Sequence, residues 1–263
     1  MSTENEVLIS FAPGRARVTL NRPSKLNPLD WATIGKLRAA VSEIEARNDI
    51  GVVVITGSGR SFSAGGDLEG YLGLYKSPER FQDFLSKFHD LLDTIEASPK
   101  IYIAAINGVC VAGGLELLLA CDLAVAADTA SIGDGHLNFG QLPGAGGSQR
   151  LPRAVGLQMA KYLMLTGELL PAAEAHRIGL LCRVFPAAEL DGGVDALVDG
   201  LLEKSRTGMA TAKRLANLTL KTDQASGLKQ EIRIVHDYAT THPDAAEGLI
   251  AFKEKRKPDY DKG

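Results

Sequence analysis

Continuous apolar runs alternate with amphipathic stretches along the first two thirds of the chain. The apolar runs are four to eight residues long and most of them end at glycine or proline, a pattern typical of strands buried on both faces. The predicted strands are residues 17–21, 51–56, 101–106 and 122–127, and the predicted helices are residues 31–47, with Asp30 as N-cap, and 78–97. This alternation predicts an α/β fold with a mostly parallel sheet and right-handed crossovers.

Helical periodicity dominates after Gly156, with one short interruption. The predicted helices are residues 157–166, 171–177, 190–204, 209–222, 228–240 and 243–255, and the interruption is a predicted strand at 180–185. We therefore predict an α/β core over residues 1–195 and a helical C-terminal region over 196–263. The apolar stripes on these helices predict surface that a homo-oligomer buries.

Composition places the chain among globular proteins with one sizeable core, because 263 residues are 45% hydrophobic. The net charge of -3 gives no strong field toward nucleic acid or an anionic membrane, so neither partner is expected. The three cysteines show neither disulfide pairing nor metal-ligand spacing, so we expect reduced thiols and no metal site. With no targeting signal in the first ten residues, we expect a cytoplasmic protein.

Residues 101–121 are apolar enough to raise the question of a membrane span. Two breaks interrupt the run, at Asn107-Gly108 and at Gly113-Gly114, and Glu116 would lie near its apolar middle. A buried strand, a glycine turn and a buried helix explain this pattern better than a transmembrane helix.

Two glycine clusters, residues 63–68 (SAGGDL) and 112–117 (AGGLEL), each lie between a predicted strand and a predicted helix. Glycine lets a backbone approach a ligand closely, and the first N–H groups of a helix have no intrahelical partner. Two such clusters could direct two N–H groups at one oxygen that gains negative charge. The alternative is that both are tight turns for packing. Neither is a nucleotide phosphate loop, because no Gly-Lys-Ser/Thr follows.

Two ionisable side chains are candidates for proton transfer. Glu116 lies among leucines, so it either satisfies the start of its own helix or is a general acid/base with a pKa tuned by burial. His136 follows Asp134 by two residues; in an extended segment both would point the same way, and the carboxylate could orient the imidazole. A loop histidine can equally be polar surface. Residues 143–150 (PGAGGSQR) predict a structural turn, with Ser148 capping the next helix, rather than an anion site or a wall of the active site.

Several segments together resemble the enoyl-CoA hydratase/isomerase (crotonase) family over nearly the whole chain. They are residues 21–23, 26–30, 62–68, 105–108, 113–116, 121–122, 143–147, 149–151, 165–167, 247–248, 251–252 and 255–258. Their order and spacing carry the resemblance, since each motif alone is modest. The resemblance implies a spiral of ββα turns, a helical C-terminal trimerisation region, and a trimer or a dimer of trimers.

The resemblance also implies a CoA thioester substrate, with coenzyme A as part of the substrate and no permanently bound cofactor. It implies that Gly66 and Gly113 are the two oxyanion-hole donors. The residues that match the stretches lining CoA are Lys25, Leu26, Ala64, Asp67 and Leu68, with Phe252 and Lys255 on the C-terminal helix, often from a neighbouring subunit. Residues 71–78 are expected to help form the acyl pocket.

One position departs from the family. The hydratases use two glutamates; Glu116 matches the first, and the second is expected seven residues before Pro143, where this chain has His136. The favoured hypothesis is a lyase that adds water to an enoyl-CoA or removes it, with Glu116 activating water and His136 handling the second proton. The alternatives are a double-bond isomerase, a hydrolase of β-diketone C–C bonds, and a non-catalytic CoA binder.

Overall fold

The computed structural model describes residues 5–260, which form two β-sheets surrounded by helices. The first sheet has six strands in the order β1-β2-β3-β5-β7-β10, and the second has four in the order β4-β6-β8-β9. The strands are β1 Val7–Ala12, β2 Gly14–Leu20, β3 Ile50–Gly57, β4 Ser61–Ser63, β5 Ile101–Ile106, β6 Val109–Val111, β7 Leu123–Ala127, β8 Ser131–Gly133, β9 Leu170–Pro171 and β10 Arg183–Phe185.

The first sheet is parallel from β2 to β10, and only β1 pairs antiparallel with its neighbour β2. Its central strands β3 and β5 are buried along their length except at Gly57. This is what their continuous apolar sequences require, since both faces of the sheet are covered. The predicted mostly parallel sheet is confirmed, while β1 was not predicted and β10 is shorter than the strand expected at 180–185.

Three strands of the first sheet, β3, β5 and β7, each lead through a tight corner into a short strand of the second sheet and then into a helix. β3 is followed by β4, β5 by β6 and β7 by β8, and these short strands pair in parallel. At one corner Asn107 accepts a hydrogen bond from Gly57 N (3.1 Å) and donates to the carbonyl of Gly59 (2.9 Å). The predicted spiral of ββα turns is confirmed.

Helices enclose the two sheets and form the C-terminal third of the chain. They are α1 Trp31–Glu45, α2 Leu68–Leu74, α3 Pro78–Ala97, α4 Gly113–Ala120, α5 Gly147–Val155, α6 Leu157–Thr166, α7 Ala172–Arg177, α8 Leu190–Leu202, α9 Arg206–Leu218, α10 Gln224–Thr241 and α11 Pro243–Glu254. Asp30 caps α1 as expected, because its side chain accepts a hydrogen bond from Thr33 N. The main core lies between α1, α3 and α4 and one face of the first sheet.

α8 covers the other face of the first sheet, where Leu190, Val194 and Val198 pack on Val52 and Val125. Residue 195, the predicted end of the α/β core, therefore lies within α8, a helix that packs on the first sheet. The division of the chain at 195/196 stays a prediction, and the helices that follow α8 begin at Arg206.

A buried lysine ties α9 to the core. Lys213 Nζ donates to the carbonyls of Ile95 (3.1 Å) and Lys100 (3.0 Å) and to Asp122 Oδ2 (2.9 Å). Asp122 Oδ2 also accepts from Tyr102 N (2.8 Å), so one carboxylate oxygen joins α9 to β5. The Lys213 side chain is 6% exposed.

The apolar stretch 101–121 forms β5, β6 and α4, with the breaks at Asn107 and Ala112. This is the predicted strand, turn and buried helix. Within residues 5–260, no helix has both the length and the apolar character that a membrane span requires.

We predict that Lys213→Ala lowers the free energy of unfolding by about 3 kcal/mol, because it leaves Asp122 and two carbonyls without their cation. Urea unfolding followed by circular dichroism measures the change. Lys221→Ala, an exposed lysine just beyond α9, is the control and should change stability by less than about 0.5 kcal/mol. Equal losses of unfolding free energy in the two variants would show that the hydrogen bonds of Lys213 make no specific contribution to stability.

Candidate active site

The two predicted glycine loops lie in contact. Gly65 has φ +88°, and a methyl group on it would lie 2.7 Å from the Cβ of Ala112. A methyl group on Gly114 would lie 2.6 Å from the carbonyl oxygen of Ser63. Real Cβ atoms do not approach other atoms this closely, so only glycine at both positions lets the loops touch. The two loops therefore meet, while the direction of both N–H groups at one oxygen stays a prediction.

Each loop presents a free backbone N–H group near this contact. Gly113 is the first residue of α4, and Gly66 lies in the turn before α2. Within residues 5–260 neither N–H donates a hydrogen bond. Ala112, just before Gly113, has φ 55°, which is unusual for a residue with a side chain, and its N–H donates to the carbonyl of Asp134 (2.9 Å). This hydrogen bond helps to hold the backbone before Gly113 in its turned conformation.

A stretch that runs beside the first glycine loop supports it. Ala64 N donates to the carbonyl of Leu26 (2.9 Å), and Leu29 N donates to the carbonyl of Gly65 (2.8 Å). Leu26 and Asn27 both have positive φ, and the Asn27 side chain is buried and donates to the carbonyl of Ser61 (2.8 Å). The Leu26–Asn27 turn and the glycine loop are thus fixed relative to each other.

Glu116 is held by the turn at 143–150 and not by its own helix. Its side chain is 3% exposed, and Oε1 accepts from Ala145 N (2.7 Å) and Gly147 N (2.9 Å). The expectation that this turn is only structural is wrong, since it positions the carboxylate. Ser148 makes no capping hydrogen bond, because α5 already begins at Gly147.

Burial raises the pKa of Glu116 above its ordinary value of 4.5. The two backbone hydrogen bonds and the nearby His136 oppose this rise, and the charge of Asp134 adds to it. The second carboxylate oxygen, Oε2, takes no hydrogen bond from either backbone group. It faces His136 instead.

His136 lies between two carboxylates. Its Nδ1 is 3.1 Å from Asp134 Oδ1, and its Nε2 is 3.9 Å from Glu116 Oε2. The expected Asp134–His136 contact is present, but the segment is not extended as predicted. Gly135 has φ 64°, and His136 begins a short 3₁₀ helix, His136–Phe139. The backbone N–H of His136 also points at Asp134 Oδ1 (3.3 Å).

A cavity of about 420 Å³ opens beside Glu116 and His136. Its remaining walls are mostly aromatic and apolar side chains from α2, α3 and the segment before α5: Tyr71, Tyr75, Phe81, Phe84, Leu85, Phe88, Leu142 and Pro143. Tyr71 and Tyr75 belong to the 71–78 stretch expected at the acyl pocket. The three phenylalanines were not anticipated, although their spacing along α3 is that of one helical face.

The residues expected along CoA fall into two separate groups. Lys25, Leu26, Ala64, Asp67 and Leu68 lie in the loops and the turn that surround Gly65 and Gly66. Phe252 is 86% exposed near the end of α11, and Lys255 follows that helix. α11 packs on α9 and α10, and neither residue lines the cavity that contains Glu116. Within one chain, the structure does not bring these two residues into the site.

The basic run after α11 is partly used within the chain. Arg256 forms ion pairs with Glu247 and Glu254, and Lys257 with Glu203 (3.1 Å). Across residues 5–260, His, Cys, Asp and Glu side chains form no group of three or more that could hold a metal ion.

Known proteins resemble this chain in both sequence and architecture. The sequence model of the enoyl-CoA hydratase/isomerase family matches residues 11–263. A Mycobacterium bovis protein named probable enoyl-CoA hydratase echA8 is 37% identical over 243 residues, covering 92% of this chain and 93% of its own. The crotonyl-CoA hydratase of Syntrophomonas wolfei is 34% identical over 261 residues, covering 99% of each chain.

The crystal structure of enoyl-CoA hydratase from Bacillus anthracis superimposes with a TM-score of 0.92 at 33% identity, covering 98% of this chain and 100% of that one. The chain belongs to the enoyl-CoA hydratase/isomerase family. The prediction of the crotonase fold, with its helical C-terminal region, is confirmed by these matches. The matches also confirm, at the level of the family, the prediction of an enzyme of the enoyl-CoA hydratase type.

We predict that Glu116→Gln changes the pH dependence of stability. Because burial raises the folded-state pKa of Glu116, the folded protein holds this proton more tightly than the unfolded chain does. The contribution of Glu116 to stability is therefore full below its unfolded pKa, near 4.5, and is lost as the pH rises through the raised pKa. Relative to the variant, the wild type should become less stable over that window.

Urea unfolding at several pH values between about 4.5 and 8 measures this difference. Glu231→Gln, at an exposed position on α10, is the matched control and should give a difference that does not vary with pH. A flat difference for Glu116→Gln as well would show that the carboxyl group is not perturbed by burial.

Proposed function

We propose that this protein hydrates the α,β double bond of an enoyl-CoA thioester, and catalyses the reverse dehydration. The observation that carries the proposal is the placement of Glu116 Oε2 and His136 Nε2, 3.9 Å apart, at a cavity whose lining residues Tyr71 and Phe88 reach Gly66 and Gly113. An acid/base pair and two free N–H groups are the parts that addition to a conjugated thioester needs.

The space between Glu116 and His136 suits one water molecule. A separation of 3.9 Å is too long for a direct hydrogen bond, but one water can lie about 2.8 Å from both atoms. Glu116 Oε1 is occupied by two backbone N–H groups, so Oε2 is the oxygen available to this water. The water is thereby held between a carboxylate oxygen and an imidazole nitrogen.

In the proposed reaction the thioester oxygen accepts hydrogen bonds from Gly66 N and Gly113 N. The water oxygen forms a bond to Cβ as its proton passes to Glu116, and the π electrons move onto the thioester oxygen as an enolate. Glu116 passes this proton to Nε2 of His136, and His136 delivers it to Cα of the enolate. Both side chains return to their starting protonation states, and the net change is the addition of H and OH.

Asp134 orients His136 in this scheme. A carboxylate beside Nδ1 favours the tautomer with the proton on Nδ1, which leaves Nε2 facing Glu116 and the water. Asp134 is 1% exposed, and its carbonyl accepts from Ala112 N, so the same residue is linked to the loop that carries Gly113. It is a positioning residue, since it does not face the cavity.

The names of the relatives support an acyl-CoA substrate. On this basis, Lys25, Leu26, Ala64, Asp67 and Leu68 would lie along CoA beside the thioester. Phe252 and Lys255 would reach CoA only from a neighbouring subunit, which fits a homo-oligomer, a trimer or a dimer of trimers. The exposed apolar side chains of Ile232, Leu249 and Phe252 are consistent with such an assembly.

We predict that Glu116→Gln lowers kcat for hydration of crotonyl-CoA by about 10²–10⁴-fold, the usual contribution of a general base. The amide keeps the size of the side chain but cannot accept the proton. Loss of absorbance of the conjugated thioester measures the rate, and Glu231→Gln is the control. A variant that keeps full hydration would exclude Glu116 as the base.

We predict that His136→Ala lowers kcat by about 10²-fold. Asp134→Asn should lower kcat less and should alter the pH profile of kcat/KM, because in this variant the imidazole loses its orienting partner.

A panel of enoyl-CoA chain lengths, with a β,γ-unsaturated CoA ester and a β-diketone alongside, gives the reaction class. If the wild type is highly active and His136→Ala has the same kcat, His136 only lines the pocket. Faster turnover of either other substrate would favour isomerisation or C–C hydrolysis.

A further inference from the structure

Tyr71 places a polar group where the motifs predict none. Its hydroxyl oxygen lies so close to Gly66 that a methyl group on that glycine would be less than 3.0 Å from it. The same tyrosine lines the cavity with Glu116 and His136, and the charge of Glu116 acts on its hydroxyl. The hydroxyl therefore lies at the side of the cavity where one of the two loop N–H groups is located.

The ring of Tyr71 is fixed by its neighbours. It packs edge-on against Phe81 and Phe84, with ring centroids 6.4 and 5.7 Å apart, and stacks on Tyr75 at 6.0 Å. Its backbone N–H donates to the carbonyl of Asp67 in the first turn of α2 (2.9 Å). An aromatic ring held on three sides presents its hydroxyl at a defined place.

The Tyr71 hydroxyl makes no hydrogen bond within residues 5–260, in contrast to the neighbouring Tyr75, which donates to Gln141. Burial, with the charge of Glu116, raises the pKa of Tyr71 above its ordinary value of 10, so the group stays protonated at neutral pH. It is therefore an O–H donor that has no acceptor among the described residues and is available to a ligand in the cavity.

We propose that the Tyr71 hydroxyl is a third hydrogen-bond donor to the thioester oxygen of the acyl-CoA, beside Gly66 N and Gly113 N. Two donors that share one acceptor at about 2.9 Å each must lie within about 5.8 Å of each other. Since the hydroxyl is less than 3.0 Å from the methyl position on Gly66, it lies within about 5.5 Å of Gly66 N by standard backbone geometry. The arrangement thus allows one oxygen to accept from both.

A neutral side-chain donor adds to the two backbone donors in the place where negative charge develops. A hydrogen bond to a charged oxygen is stronger than one to a neutral carbonyl, so this contact stabilises the enolate more than the bound thioester. The inference rests on the proposed function for the identity of the ligand, a CoA thioester that forms an enolate.

The test is Tyr71→Phe, which keeps the ring and its packing and removes only the hydroxyl. We expect kcat for crotonyl-CoA hydration to fall roughly 10- to 100-fold with little change in KM, the effect of one hydrogen bond to a charged group. Tyr162→Phe, on the exposed face of α6, is the matched control and should leave kcat unchanged. Equal unfolding midpoints for the three proteins establish that packing is intact.

A second readout does not require turnover. Acetoacetyl-CoA forms an enolate that absorbs light, and binding to the wild type should increase the enolate fraction at a given pH. Tyr71→Phe should hold roughly tenfold less enolate than the wild type at the same pH. A merely structural role for Tyr71 would not change this ratio.

The outcomes separate the two proposals. Unchanged kcat and unchanged enolate in Tyr71→Phe, with an active wild type, overturn the third donor and leave the hydratase proposal intact. A higher KM with unchanged kcat also overturns it, since the hydroxyl would then bind the ground state equally well. If the wild type hydrates no enoyl-CoA but its enolate binding depends on Tyr71, the hydratase proposal fails and the donor stands.

Discussion

The close contact between the two glycine loops is the constraint on which the site depends. Gly65 and Gly114 bring the strand-ending backbones of two successive ββα turns together, and no residue with a side chain would fit at either position. The contact sets the loop that carries Gly66 against the loop that carries Gly113, and within residues 5–260 neither of these N–H groups donates a hydrogen bond. It also fixes α4, and through α4 it fixes Glu116, whose position three residues after Gly113 then follows from helical geometry.

The rest of the site is assembled around this contact by backbone hydrogen bonds. The 143–150 turn holds Glu116 through Ala145 N and Gly147 N, and the Asp134 carbonyl holds Ala112 N. Each of these links joins a residue of one ββα turn to the next. A carboxylate fixed by main-chain donors has few other orientations available, which is the preorganisation that the proposed acid/base role requires.

Much of the fold could be predicted from the sequence, because β3 and β5 are continuous apolar runs and the helices have clear periodicity. The second sheet could not, because β4, β6 and β8 have three residues each, too few for any pattern to appear. At the site, Glu116 and the glycine loops were predictable from their own residues and from the family resemblance. Two features of the site are tertiary contacts that local sequence does not encode. Glu116 accepts hydrogen bonds from residues about thirty positions later, and Tyr71 lies against Gly66.

This chain has His136 where the family resemblance leads us to expect a second glutamate, and His136 affects the electrostatics of Glu116. Two carboxylates around one water repel each other, so that one of them tends to stay protonated. Here His136 favours the ionised form of Glu116, and it is Asp134, one step further from the cavity, that opposes it. The imidazole thus separates two carboxylates that would otherwise compete for a proton. Among the described residues, Glu116 is the only acidic side chain that lines the cavity, and its pKa is raised chiefly by burial. Under the proposed function the second proton is handled by an imidazole, which can both donate and accept.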